Sequence, residues 1–372
     1  MSERTEHLLS VSDLRVSFDT YAGEVQAVRG VSFHLDAGET LAVVGESGCG
    51  KSVSISTLMR LNPEPPARIV GGSIRYKGEE LTTKTDKEMR DFRGNEFAMI
   101  FQDAMTSLNP VMRVGNQIVE AIRVHDRATS KAAARERAIE MLDRVGLPNP
   151  EEVFRRYPHT LSGGQRQRAM IAMALACHPS ILIADEPTTA LDVTTQAQIL
   201  SLMKDLQAET GCGIIIVTHN LGVVARVADR VAVMYAGKMV EEGELDEVFY
   251  QPKHPYTWGL LGSMPDLTKS LDDRLVSIPG APPDLFAPPA GCGFGARCPH
   301  CMDVCVDHDP DAYGVSPTHG ARCWLLDPRA GNAVAPPVGD DAAMVTPAML
   351  AFACERADGA AADADAARKE VA

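Results

Sequence analysis

A chain of 372 residues is long enough for two domains, or for one large α/β domain with a smaller appendage. Its formal net charge of −14 argues against nucleic acid or an anionic lipid surface as the main partner. The N-terminal MSERTEHLLS lacks the basic-then-apolar layout of a signal peptide and no apolar run approaches the roughly 20 residues that cross a bilayer, so a cytoplasmic location is expected, where nine cysteines are not structural disulfides.

Residues 8–18 and 25–35 alternate apolar and polar positions, as half-buried strands do. Phe18 and Tyr21 stand in or just after the first of them, where an aromatic either packs in a core or stacks on a planar ligand. The apolar run Thr40–Val44 then reads as a buried strand leading into Gly45–Ser52, GESGCGKS, which fits the phosphate-loop pattern G-x-x-x-x-G-K-[ST] at every fixed position. Residues 53–61 continue as a helix, giving the strand, loop and helix that the pattern requires. Gly45, Gly48 and Gly50 let the backbone turn its N–H groups toward an anion, and the helix N-terminus adds its dipole. Lys51 is placed for the β and γ phosphates and the Ser52 hydroxyl for Mg²⁺, with Ser47, Cys49 and Val53 beside them.

Pro63, Pro65 and Pro66 end the helical pattern, and Gly72–Gly78 reads as a hairpin strand bounded by glycines. The apolar run Phe97–Phe101 is a short strand ending at Gln102, whose amide is placed to meet a ligand or a metal-bound water; a solvated loop glutamine has the same pattern. From Val114 to about Cys177 the chain turns helical. Ser130 is an N-cap, Ala134, Ala138, Met141, Leu142 and Val145 recur at helical spacing, and Gly146 closes the segment. Leu161-Ser162-Gly163-Gly164-Gln165 opens a further helix, where it forms either a second anion site or a flexible linker.

Ile181–Asp185 reads as a buried parallel strand whose C-terminal end presents Asp185, an oxygen ligand suited to Mg²⁺. Glu186 follows and can polarise an attacking water. Residues 214–217 form another buried strand, with His219 just beyond its end, a position facing ligand in such sheets. Residues 231–235 and 238–242 flank Ala236-Gly237 as a final hairpin.

Taken together these residues resemble the ATP-binding subunits of ABC transporters. GESGCGKS is similar to their Walker A, ILIADE to their Walker B with catalytic Glu186, LSGGQ to their signature, Gln102 to their Q-loop glutamine, Ala190-Leu191-Asp192 to their D-loop and His219 to their switch histidine. FQDAMTSLNP, YPHTLSGGQRQR, ADEPTTALDVTTQAQI and FYQPKHPYTWGLL narrow the resemblance to the oligopeptide/dipeptide importer branch, over about residues 8–327.

The resemblance implies an ABC-type P-loop ATPase domain over 1–262, with an antiparallel β subdomain and a helical subdomain at about 103–177. It implies catalytic roles for Glu186, His219, Lys51 and Gln102, and Mg²⁺ held by Ser52, Gln102 and Asp185. Phe18 is the expected adenine platform, with Tyr21 close enough to compete. Ser162, Gly163, Gly164, Gln165 and Asp192 serve nucleotide across a dimer, so that ATP joins two ATPase subunits, the second expected to be a different chain. Two membrane permeases and an extracytoplasmic binding protein complete the system; peptide is the first cargo to expect, with nickel or another small solute as the alternative, and a non-transport ABC ATPase as a further one.

Residues 278–327 open with Ile-Pro-Gly-Ala-Pro-Pro and gather Cys292, Cys298, Cys301, Cys305 and Cys323. Clustered cytosolic thiols read as a metal site. Zinc suits the Cys298–Cys301 C-x-x-C pair, with His300, His308 or His319 as further ligands, and four thiolates equally suit iron–sulfur. Spacing leaves both open, and reduced free thiols too. The importer-branch resemblance matches Cys292, Cys298, Cys305 and Cys323 and favours a [4Fe-4S] cluster over Zn²⁺, with Cys301 as a spare or substitute. The segment 263–327 is therefore expected to be regulatory or metal-binding. Beyond residue 328 the Ala-, Pro- and Asp-rich chain is expected to be a disordered tail, with a short helix near 348–356.

Overall fold

A computed structural model describes residues 7–102, 107–189, 191–264 and 278–330. The D-loop's Ala190, the segment directly after Gln102, and the tail with its expected helix near 348–356 lie outside them. Within the described chain, residues 7–35, 40–82 and those after 217 form one compact unit, and 36–39 and 83–217 a second.

The first unit begins with the strands β1 (Leu9–Thr20) and β2 (Gly23–Leu35), paired antiparallel so that Leu9 faces Leu35 and Val16 faces Val28. Their alternation buries Leu9 and Val11, then Leu14 and Val16 after a register shift, and Val31, Phe33 and Leu35 on the partner strand, the result of a two-residue side-chain period. β3 (Thr40–Val44) is buried at all five positions and leads into helix α1 (Lys51–Leu58). The helix starts at Lys51, two residues earlier than the apolar pattern alone predicts, so Lys51 and Ser52 belong to its first turn.

β4 (Ala67–Tyr76) pairs antiparallel with β1, and β5 (Glu79–Glu80) with β4. The strand expected over 72–78 thus starts at Ala67 and runs through Gly72. That glycine is a bulge and no boundary: at φ +93° a Cβ would lie 2.4 Å from the Asp13 carbonyl oxygen.

The second unit takes helix α2 (Asp86–Phe92), strand β6 (Phe97–Ile100), helices α3 (Val114–His125), α4 (Lys131–Arg144), α5 (Pro150–Arg155) and α6 (Gly163–Leu175), strand β7 (Ile181–Asp185), helix α7 (Val193–Thr210) and strand β8 (Gly213–Thr218). β6, β7 and β8 run parallel in that order. Ser130 caps α4 by accepting from the Ala133 amide, and Ala134, Ala138, Met141 and Leu142 form its buried face. Gly146, at φ +70°, ends the turn after it.

The chain then returns to the first unit with helix α8 (Leu221–Val227), β9 (Arg230–Tyr235) and β10 (Lys238–Glu244). β9 pairs parallel with β3 and antiparallel with β10 around Ala236-Gly237, both at positive φ as a tight hairpin needs. Helices α9 (Leu245–Tyr250), α10 (Pro255–Gly262) and α11 (Asp303–Asp307) precede the short strands β11 (Tyr313–Gly314) and β12 (Gly320–Ala321). β12 pairs with β10 through Glu241↔Ala321 and Glu242↔Gly320. The Pro-rich opening at 278 changes the chain's character, yet the cysteine segment joins the sheet edge of the first unit. No helix among the described residues is long and apolar enough to cross a membrane.

Candidate functional site

In the first unit the phosphate loop is shaped by backbone that only glycine tolerates. Gly50 sits at φ +101°, where a Cβ would lie 2.3 Å from the Ala27 carbonyl oxygen; at Gly45 it would lie 2.1 Å from that of Met234. Gly50 is also the N-cap of α1. It offers no side-chain cap and the first turn carries no acidic residue, so the positive end of the helix keeps its amides for an anion. The Lys51 ammonium, 6% exposed, donates to the Gly45 and Glu46 carbonyls at 2.7 and 2.8 Å. Burial raises the Cys49 thiol above its ordinary pKa, more than neighbouring Lys51 lowers it, so Cys49 packs beside the loop as an uncharged group. His219 lines one cavity of about 410 Å³ with Gly45, Glu46 and Ser47, closed further by Leu260, Ser263 and Ile278. Of the two candidate platforms, Phe18 is half-buried within β1 opposite Val25, whereas Tyr21 stands fully exposed in the turn that follows.

Two residues hold Glu46 from far along the chain. Its amide donates to the Tyr256 hydroxyl at 2.8 Å, and its carboxylate pairs with Arg297 through contacts of 2.6 and 3.0 Å. Neither partner stood out in the sequence. Tyr256 lay inside a stretch matched only for its resemblance, and Arg297 is a single basic residue between two cysteines.

In the second unit Asp185 ends β7, 9% exposed, and Glu186 follows at φ +46°. A glutamate in the left-handed region is backbone strain, which collects at functional sites. Gln102 Nε2 and Thr189 Oγ1 both donate to Glu186 Oε2 at 2.9 Å, so Gln102 and Glu186 are brought together. The signature opens α6. Ser162 Oγ accepts from the Gln165 amide and Gln165 Oε1 accepts from the Ser162 amide, a capping box with the two glycines at the first two helical positions. Gln167 Nε2 donates to the Pro187 carbonyl at 2.6 Å, tying α6 to the loop beyond Glu186. Asp192 caps α7 by accepting from the Thr195 amide and hydroxyl, which hold its carboxyl below the usual carboxylate range.

The cysteines meet in the first unit. The Cys292 amide donates to the Cys305 carbonyl and the Cys301 amide to that of Cys298. Burial, then the nearby thiols of Cys292, Cys298 and Cys305, push Cys323 up to about 12; burial, then Cys292, Cys301 and Cys305, push Cys298 up to about 11. Cys292, Cys298 and Cys323, each raised by burial and by neighbouring thiols, stand with buried Cys305 as a donor set that a cation would neutralise. Among the described residues no three of these sulfurs lie within 4.8 Å of one another.

Two of the three histidines offered as further ligands have other partners, and the third faces solvent. His319 Nε2 lies 2.8 Å from buried Glu241, His300 packs edge-on against Trp258, and His308 is exposed. Cys301 is exposed at the rim beside Cys305.

With this geometry in hand, comparison with known proteins is direct. The ABC transporter family profile matches residues 28–189, and the profile described as "Oligopeptide/dipeptide transporter, C-terminal region" matches 240–305. The oligopeptide transport ATP-binding protein OppD of Bacillus subtilis (strain 168) is 57% identical over 334 residues, covering 90% of this chain and 93% of that protein. The dipeptide transport ATP-binding protein DppD of Lactococcus lactis subsp. cremoris (strain MG1363) is 55% identical over 325 residues, covering 87% and 93%. Among solved structures, a dimeric bacterial ABC transporter cassette aligns with a TM-score of 0.58 at 28% identity, over 64% of this chain and 98% of that one. The same cassette solved after hydrolysis, as a dimer bound to ADP and phosphate, aligns with the same score.

Proposed function

The chain belongs to the ATP-binding subunits of oligopeptide/dipeptide ABC importers, and from that premise we propose that it hydrolyses ATP to power peptide uptake through separate membrane permeases. The observation that carries the reading is the phosphate loop: a glycine-formed anion cradle at an uncapped helix start, with the buried Lys51 ammonium across it.

Lys51 and the loop amides bind the phosphates, and Ser52, Asp185 and Gln102 are the residues to hold Mg²⁺, which would neutralise charge on the phosphate oxygens. The Glu186 carboxylate accepts a hydrogen bond from the water that attacks the γ-phosphorus, while His219 and Lys51 favour the negative charge gathering on the transferred group. The hydrogen bonds from Gln102 and Thr189 fix Glu186, so it need not be reorganised at the moment of reaction. Phe18 or Tyr21 supplies the adenine platform, fully exposed Tyr21 being the more open to a ligand. Ser162, Gly163, Gly164, Gln165 and Asp192 serve nucleotide held by a second ATPase subunit.

Coupling passes to permeases at the inner face of the membrane, with an extracytoplasmic binding protein delivering the peptide. Replacing Glu186 with Gln in the assembled transporter should leave ATP binding intact and lower turnover on the order of 10²- to 10⁴-fold. Unchanged turnover would remove Glu186 from this role.

Cys292, Cys298, Cys305 and Cys323 are the residues to hold a [4Fe-4S] cluster. The gathering of these four thiols within electrostatic reach of one another supports this reading. Protein purified without oxygen should be brown and contain four irons per chain; colourless, zinc-containing protein would overturn it.

A further inference from the structure

Arg297 spends every donor it has around one residue of the phosphate loop and its surroundings. A guanidinium carries five N–H groups in a rigid fork. Here Nη1 donates to Glu46 Oε2 at 2.6 Å and to the Tyr235 hydroxyl at 3.1 Å, Nη2 to Glu46 Oε1 at 3.0 Å and to the Ile278 carbonyl at 3.3 Å, and Nε to the Pro279 carbonyl at 2.8 Å. The Arg297 side chain is 6% exposed and that of Glu46 26%, so the pair is partly shielded from water, and it is bidentate, the geometry in which a charged hydrogen bond is strongest.

The Glu46 end is equally committed. Its amide is held by Tyr256, and its carbonyl receives the Lys51 ammonium. A shift of Glu46 therefore moves one of the two carbonyls that fix Lys51, and with it the spacing between that ammonium and the loop amides. Phosphate-loop pattern places no demand on this second position, and a helix or loop could hold Glu46 without a partner 251 residues away.

We infer that Arg297 is a positioning residue for nucleotide binding: through the Glu46 carboxylate, the C-terminal segment sets the shape of the phosphate loop and hence the affinity for ATP. The inference rests on the phosphate loop being the nucleotide site, and Lys51→Ala serves as the control for that reading.

The test is binding of mant-ATP with Mg²⁺ to the full chain, followed by ATP kinetics of the assembled transporter. Arg297→Ala and Glu46→Gln should each weaken binding about tenfold, as loss of one charged, shielded hydrogen-bonded pair does. The double variant should bind no more weakly than either single one, because both remove the same interaction. Arg297→Lys, which keeps the charge without the fork, should fall between. In the transporter the loss should appear in KM for ATP rather than in kcat, a split that general loosening of the fold would not give. Should Arg297→Ala not fold, Glu46→Gln, which keeps the size of the side chain and removes only its charge, carries the same test. Wild-type affinity in either single variant, or additive losses in the double, overturns the inference. If Lys51→Ala also binds as the wild type does, the phosphate-loop reading itself fails; if only Lys51→Ala is impaired, the loop is the site and Arg297 has no part in it.

Discussion

Glu186 combines a strained backbone at φ +46° with a carboxylate pinned by Gln102 and Thr189. Strain of this kind costs about 1–3 kcal/mol and persists where the surroundings over-determine the conformation, here the buried β7 before it and the Glu186 amide's bond to the Val217 carbonyl. Gln102→Ala removes one of the donors that hold Glu186 without touching the backbone. Turnover should fall about tenfold or more while mant-ATP still binds, and a wild-type rate would separate Gln102 from Glu186. A second residue makes a prediction about pH. Burial holds His254 down at about 4, and its Nδ1 accepts the Tyr256 amide, so the folded protein needs it neutral. The unfolded chain takes up the proton near pH 6.5 and the folded one only near 4. Stability from this group is therefore complete above about 6.5 and is lost as pH falls toward 4, by roughly 3 kcal/mol in all. Denaturant titrations between pH 7 and 4 should show this slope, and His254→Asn, which can still accept the amide bond, should flatten it.

At the scale of elements, what could be read from sequence was local. The loop glycines, the Ser130 cap, the all-apolar β7 and the Ala236-Gly237 turn each state their conformation within a few residues. The capping box of the signature is equally local, since Ser162 and Gln165 stand three residues apart. Ser162→Ala should cost about 1 kcal/mol of stability through the lost cap. ATP turnover in the assembled transporter should fall by more than that destabilisation explains if the serine also meets nucleotide; an effect on melting alone would leave it a cap.

Long-range partnership was not legible. Nothing near Glu46 in the chain announces Tyr256 or Arg297, 210 and 251 residues on, and nothing near Glu241 announces that it would claim His319 from the cysteines. Side chains that pair across a fold follow no spacing rule. The same limit applies to Gly72, which marked a boundary by composition but proved to be a bulge once β1 lay against it.

For the whole molecule, the proposed role of the α6 signature residues is to serve nucleotide held by a second subunit, and the solved cassettes that the chain resembles are dimeric. An isolated chain at low concentration should bind nucleotide and hydrolyse it poorly, with turnover per chain rising once the second ATPase subunit and the permeases are added. Full activity in a dilute monomer would contradict a shared site.

The most direct measurement is uptake of a labelled oligopeptide into proteoliposomes that hold this chain, its partner ATPase and permeases, and the binding protein. Uptake should require ATP, should collapse when Glu186→Gln replaces the wild-type chain, and should be competed by unlabelled peptide but not by nickel; peptide uptake that persists without ATP, or a transporter that moves nickel and ignores peptide, would contradict a peptide-import ATPase.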